Sequence, residues 1–269
     1  MEAVRQPAVA GRFYPGDRAS LEEQVDSYLS PVPDLRPALG CVAPHAGYIY
    51  SGPVAGAVYA NIEVPQRCIV LCPNHTGRGR PLAIMSHGAW HTPLGPVEID
   101  SSLAEVLKAE FPSLSEDNEA HRSEHAIEVQ LPFLQKRQRH LSFVPIAVGT
   151  GNFEMLEKLG EALGEIVRAQ DHRILIVASS DMNHYENDRI TRVKDQKAID
   201  RILAMEPRGL YDTIMREEIS MCGFGPTIAM LTAAKKLGAS SAELIKYATS
   251  GDVSGDRETV VGYAGIVVQ

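Results

Sequence analysis

With 269 residues, 44% of them hydrophobic, the chain is long enough for one large α/β domain with a sizeable core. Its 34 acidic and 26 basic side chains leave a net charge of −8, and no dense Lys/Arg stripe occurs, which argues against nucleic acid as a partner. Four cysteines without paired metal-finger spacing predict no disulfide framework. The absence of a long apolar stretch or a leader pattern predicts no membrane span and a cytoplasmic location.

Residues 1–20 read as an irregular arm broken by Pro7, Gly11, Pro15 and Gly16, with Phe13 and Tyr14 as anchors. Ser20 and Glu23 have capping-box spacing, so a helix is expected over 21–29, ending before the proline-rich 31–37. An apolar strand over 39–43 runs into Pro44-His45-Ala46-Gly47, and a helix over 53–60 is expected to start at Pro53. The pattern of strand and histidine loop recurs. A strand over 67–72 leads into Pro73-Asn74-His75, and an Ile-Leu-Ile-Val strand over 173–178 leads into Ser179-Ser180-Asp181-Met182-Asn183-His184.

Short strands are expected over 82–86 and 97–100, with a Ser101-capped helix after the second. A helix over 121–134 would set His121, His125 and Glu128 on one face, with Pro132 either ending it or opening a further turn. A strand over 141–148 and a helix over 153–169 follow. Beyond the third histidine loop, helices are expected over 190–206, 210–218 and 227–237, then strands over 243–248 and 259–268.

Strands alternating with helices favour a layered α/β sheet, and continuous apolar strands require cover on both faces. The last two strands would pair antiparallel and make the sheet mixed. Ligands in open α/β folds bind beyond the carboxyl ends of the strands. His45, His75 and His184 are therefore the main functional clue.

His45 and His75 are candidate metal ligands, since imidazole suits iron, zinc, copper and nickel; each also fits a hydrogen-bonding loop histidine. Cys222 lies at a glycine-flanked helix start and reads as a third ligand, a nucleophile or a packed thiol. Asp181 and His184 suit proton transfer, or a capped turn. Tyr50 and His125 are candidate cleft contacts. No serine lies in a G-x-S-x-G elbow, H-E-x-x-H is absent, and the glycines form neither a dinucleotide nor a Walker motif.

The stretches APHAGYIYSGPVAG (43–56), PNHTG (73–77), EHAIEVQLPFL (124–134), SSDMNHY (179–185) and CGFGP (222–226) resemble the Memo-like protein family over nearly the whole length. The wider fold is similar to class III extradiol dioxygenase catalytic subunits. The resemblance implies a single three-layer α/β/α domain, 1–269, around a mixed, mostly parallel sheet. It also implies metal ligands His45, His75 and Cys222, with Asp181 and His184 lining the same cleft and His184 matching the dioxygenase acid/base histidine. Iron is the first expected metal, with copper or zinc as alternatives. Extradiol dioxygenases have a carboxylate where Cys222 stands, and a soft thiolate changes metal preference and redox behaviour. Two functions follow: a non-haem metal redox enzyme acting on an unassigned small molecule, or a non-catalytic scaffold that captures a peptide or protein in an inherited cleft.

Overall fold

Four apolar segments, Gly40–Ala43, Arg67–Pro73, Ser142–Val148 and Ile174–Ser179, form the middle of a twelve-stranded sheet. The structure is a computed structural model that describes residues 4–269; the first three residues of the expected arm lie outside it. The four strands run parallel in the order 142–148, 67–73, 174–179, 40–43. Val260–Val268 pairs antiparallel with Gly40–Ala43, and Ala242–Thr249 pairs antiparallel beyond it, so the sheet is mixed and mostly parallel.

Side chains on a strand alternate between faces, and here both faces are apolar. Ile69 and Leu71 join one buried cluster, while Cys68, Val70 and Cys72 join the other. Ile174, Ile176 and Ala178 divide from Leu175 and Val177 in the same way. Helices Ser101–Glu110, Phe153–Arg168, Asp188–Leu203, Pro207–Glu217 and Phe224–Leu237 cover the first face. Helices Arg18–Tyr28, Tyr48–Asn61 and Leu131–Arg137 cover the second. Two helices of the first face nearly touch at the backbone. A Cβ on Gly160 would sit 2.5 Å from Thr232 Cβ and 2.6 Å from the Ala229 carbonyl, so only glycine permits that approach. No described helix is long and apolar enough to cross a membrane.

Local chemistry moved several boundaries. The first helix starts at Arg18, because Asp17 accepts the Ser20 amide at 2.9 Å and takes the capping role expected of Ser20. The third helix is likewise capped by Asp100, whose carboxylate accepts the Leu103 amide, and not by Ser101. The helix expected from Pro53 begins at Tyr48, with Pro53 inside it. The turn around Pro93-Leu94-Gly95 closes a hairpin of Ala89–Thr92 and Gly95–Ile99, with Gly95 at φ 122. The helix expected over 121–134 is mostly irregular. It becomes 3₁₀ at Glu128–Gln130 and α-helical only from Leu131, with Pro132 in the first turn, where a missing amide costs nothing. His121, His125 and Glu128 therefore share no helical face, and the His121 ring lies buried against Trp90.

A buried ion pair holds the arm to this irregular segment. Arg5 donates to Glu128 at 2.7 Å and to the His121 and Glu124 carbonyls, and its guanidinium lies 4.0 Å over Trp90. Glu128 accepts further bonds from the Ala8 and Val9 amides and the Tyr14 hydroxyl. Val4–Arg5 also adds a parallel bridge to Ala89–Thr92, so the arm is tied to the sheet edge. Removing one member of such a pair strands a buried charge. Glu128→Gln should lose about 3–5 kcal/mol of unfolding free energy in urea titrations; a loss below about 1 kcal/mol, the level of an exposed pair, would show that the pair does not hold the arm.

Candidate metal centre

The parallel strands bring their carboxyl ends to one edge, and the loops that leave them carry the site. Gly40–Ala43 delivers His45 two residues beyond its end, and Arg67–Pro73 delivers His75 likewise. The irregular segment before Glu128 supplies His125. One ring nitrogen from each of His45, His75 and His125 lies within 4.8 Å of the others, a spacing that can hold a metal ion. The His75 and His125 rings stack at 4.9 Å between centroids, and His45 stands edge-on to both.

Neighbouring groups set the tautomers. Ser179 Oγ donates to the Ala126 carbonyl at 2.7 Å, which uses its one proton. It must then accept from Gln130 Nε2 and from His45 Nδ1, both at 2.9 Å. His45 therefore carries its proton on Nδ1 and a lone pair on Nε2. Gln130 is fixed in turn: its Nε2 donates to the Pro44 carbonyl and its Oε1 accepts from Tyr59 Oη. His75 Nδ1 faces Glu124 Oε1 at 2.9 Å, and the His75 amide donates to Glu124 Oε2 at 2.7 Å. Its Nε2 is also left as the open nitrogen. Metal-binding histidines are held in this way, with the second nitrogen donated to an orienting acceptor.

Electrostatics keep the donors available. Burial, reinforced by the charges of His125, His75 and His184, holds the His45 pKa well below its ordinary value, so the ring is neutral at pH 7. Burial also lowers His125, despite the opposing Glu124 charge. Burial pulls His75 down, but the Glu124 carboxylate outweighs it and the pKa ends above the usual imidazole value. Glu124 is wholly buried, yet its bonds to His75 and Ala126 overcome desolvation and lower its pKa.

Cys222 joins the group through His45, with Sγ 3.2 Å from Nε2. It is the one partly buried cysteine; Cys41, Cys68 and Cys72 are buried in the second cluster. Burial and then the nearby Asp181 charge push its thiol well up, so it is protonated in the absence of a cation. Its backbone position depends on Gly223, where a Cβ would lie 2.4 Å from the Ser179 carbonyl. Asp181 Oδ1 accepts the His45 amide at 2.8 Å, and Oδ2 lies 4.0 Å from His45 Nε2. Burial raises Asp181 to about 7 against the pull of the His45 and Ala46 amides. His184 opens a short strand, His184–Glu186, and lies outside the three-histidine cluster. Burial lowers its pKa, leaving a neutral, partly exposed imidazole.

The structure thus brings His45 and His75 together with His125, which the sequence offered only as a cleft contact, and sets Cys222 and Asp181 against His45, outside that three-histidine cluster. Tyr50 sits in the first turn of Tyr48–Asn61 and is 36% exposed, with no side-chain bond to the centre. Ser179, Glu124 and Gln130 went unassigned from the sequence; the one available signal was their place inside the SSDMNHY and EHAIEVQLPFL stretches. The donor set of imidazoles beside a thiol fits a transition-metal ion.

A family model described as Memo-like protein matches residues 5–267. A MEMO1 family protein of Methanopyrus kandleri is 44% identical over 98% of each chain, and one of Methanosarcina mazei is 44% identical over 99% of each. Among solved structures, an uncharacterized protein from Escherichia coli K12 has a similar fold, with a TM-score of 0.58 at 12% identity, covering 85% of this chain and 98% of that one.

Two predictions follow from the geometry. Glu124→Gln removes the charge that orients His75 and should weaken Zn²⁺ affinity about 10–100-fold in competition titrations; unchanged affinity would show that Glu124 does not orient a ligand. The second concerns Asp195, which accepts the Asn183 amide and the Tyr247 hydroxyl below the site. Burial raises its pKa from 3.8 to about 7. A raised folded-state pKa means that its stabilising contribution is complete below the unfolded value and is lost as the pH rises through 7. Wild type should therefore gain on Asp195→Asn by up to about 4 kcal/mol between pH 7 and pH 4, at about 1.4 kcal/mol per pKa unit. Urea unfolding across that range reads the difference, and parallel curves would refute it.

Proposed function

The chain belongs to the Memo-like protein family, and we propose that it is a metalloprotein in which His45, His75 and Cys222 hold a transition-metal ion with His125 alongside. The carrying observation is that His45 and His75 each donate Nδ1 to a fixed acceptor and leave Nε2 open, with a His125 nitrogen within 4.8 Å of a ring nitrogen of each and the Cys222 sulfur 3.2 Å from His45 Nε2. Iron is the leading candidate, with copper or zinc competing, since imidazole accepts all three and thiolate favours the softer ions. The reaction class that suits these donors is oxidation of a small molecule bound over the centre. When bound, the ion would supply Lewis-acid or one-electron chemistry.

The chain's own groups have separate tasks. Cys222 must release its proton to become a ligand, so binding should liberate acid. His184, neutral and partly exposed, would take a proton from bound substrate. Asp181 holds the His45 backbone through its amide bond. Anaerobic loading with Fe²⁺, Cu⁺ or Zn²⁺, followed by metal analysis and an oxygen-uptake screen, tests the reading. Wild type should retain metal stoichiometrically while His45→Ala and Cys222→Ser lose it; variants that retain as much as wild type would overturn it.

A second reading, a scaffold that captures a peptide, is favoured by exposed large side chains: Tyr185, 76% exposed, lies against the His184 ring, and Ile49, in the helix that follows the His45 loop, is 60% exposed. Such surface suits a partner better than solvent. Selective peptide capture that survives removal of the metal, with no turnover, would support it over the enzyme.

A further inference from the structure

His184 is held twice by one residue. Its amide donates to Ser220 Oγ at 2.7 Å, and its Nδ1 lies 2.8 Å from the Ser220 carbonyl oxygen. A carbonyl oxygen only accepts, so Nδ1 carries the proton and Nε2 keeps the lone pair. Ser220 is exposed and lies between helices Pro207–Glu217 and Phe224–Leu237, where no regular element fixes it.

Asn183 supplies what Ser220 lacks. Its Oδ1 accepts the Ser220 amide at 3.0 Å and the Ser220 hydroxyl at 3.1 Å. Its Nδ2 donates to Glu186 Oε2 at 2.7 Å, which fixes the orientation of the amide. Its backbone N–H donates to Asp195 Oδ1 at 2.8 Å, and its carbonyl accepts the Gly262 amide at 2.9 Å. Asn183 is 1% exposed, and every polar atom it has is engaged. Three residues beyond Ser220, the Gly223 amide donates to Ser180 Oγ at 3.0 Å. The turn 180–184 therefore grips segment 220–223 at both ends, with Cys222 between them.

We propose that Asn183 is a positioning residue that acts through Ser220 to keep His184 in the Nδ1–H tautomer, with Nε2 open beside the centre that includes Cys222. The value of this to a reaction rests on the reading of His184 as the proton-transfer group. The tautomer itself does not, and neither does its dependence on Asn183. A turn asparagine with a purely structural task would leave the tautomer of a neighbouring ring unchanged when conservatively altered, or would disturb all the site histidines together.

Long-range ¹H–¹⁵N correlation spectra of the imidazoles in metal-free protein read this directly. Wild-type His184 should show a protonated Nδ1 and an unprotonated Nε2; the opposite tautomer, or an even mixture, overturns the proposal at once. Asn183→Ala should shift His184 toward the Nε2–H form and leave the His45 and His75 patterns in place, because Ser179 and Glu124 still hold those rings. Asn183→Asp keeps the Oδ1 acceptor but turns a carboxylate toward Glu186 in place of the Nδ2 donor; pairing it with Glu186→Gln restores that bond with the donor on the other side, and the double variant should retain the wild-type pattern. Should Asn183→Ala fail to fold, the exposed Ser220→Ala reads the same clamp: it removes one of the two Asn183–Ser220 bonds and should raise the minor tautomer measurably. A wild-type tautomer in either Asn183→Ala or Ser220→Ala overturns the proposal, as does equal disturbance of all three rings. Titration of wild type with Co²⁺ alone, followed by its absorption, reports separately on the metal reading. Absent binding would sink that reading and leave the tautomer result standing.

Discussion

The hydroxyl of Ser179 has one proton to give, and it gives it to the Ala126 carbonyl. Much of the site depends on that allocation. With its proton spent, the hydroxyl can only accept, so His45 must donate from Nδ1 and present Nε2 to the cleft. The same oxygen accepts from Gln130, whose amide also spans to Pro44 and Tyr59. A strand end, a histidine loop and the irregular segment 124–130 are thereby locked around one buried oxygen. Such a network has value when every member is satisfied, because an unpaired polar atom at this depth is costly.

Segment 124–130 has no regular structure over most of its length, and its side chains explain how it is held. Glu124 takes the His75 backbone and ring, His125 stacks on His75, and Glu128 takes the arm through Arg5, Ala8, Val9 and Tyr14. A regular helix would set positions 124 and 128 on one face and could not turn one carboxylate to His75 and the other to the arm. The arm's contact reaches the site as well, since Phe13 lies edge-on to His125 at 4.8 Å between centroids.

The overall acidity of the chain, −8, does not describe its centre. Burial there works against charge of either sign: His45 and His125 are pushed toward neutral, Asp181 is raised to about 7, and the Cys222 thiol is held protonated. Glu124 and His75 are the exceptions: the carboxylate is kept ionised by the amides and the ring that it holds, and it raises the pKa of that ring in turn. Such a site has lone pairs to offer and little fixed charge, which suits a cation whose own charge then supplies most of the local field.

Much of this was legible in the residues alone. Continuous apolar runs such as Ile174-Leu175-Ile176-Val177 require a sheet covered on both faces, and the recurrence of a histidine just past such runs marks the strand ends, because period and punctuation are local properties. The family resemblance rests on ordered motifs, which are also read along the chain. What tertiary structure alone decided is the set of partners. The pattern over 121–134 favoured a helix until buried bonds from Glu124 and Glu128 to distant residues outweighed it. His125 entered the three-histidine cluster, and Asn183 and Ser220 met, through contacts spanning tens of residues. Hydrogen bonds and charge act through space with a reach of a few ångströms, so the order of residues can name the donors, while the fold alone decides which acceptor each one meets.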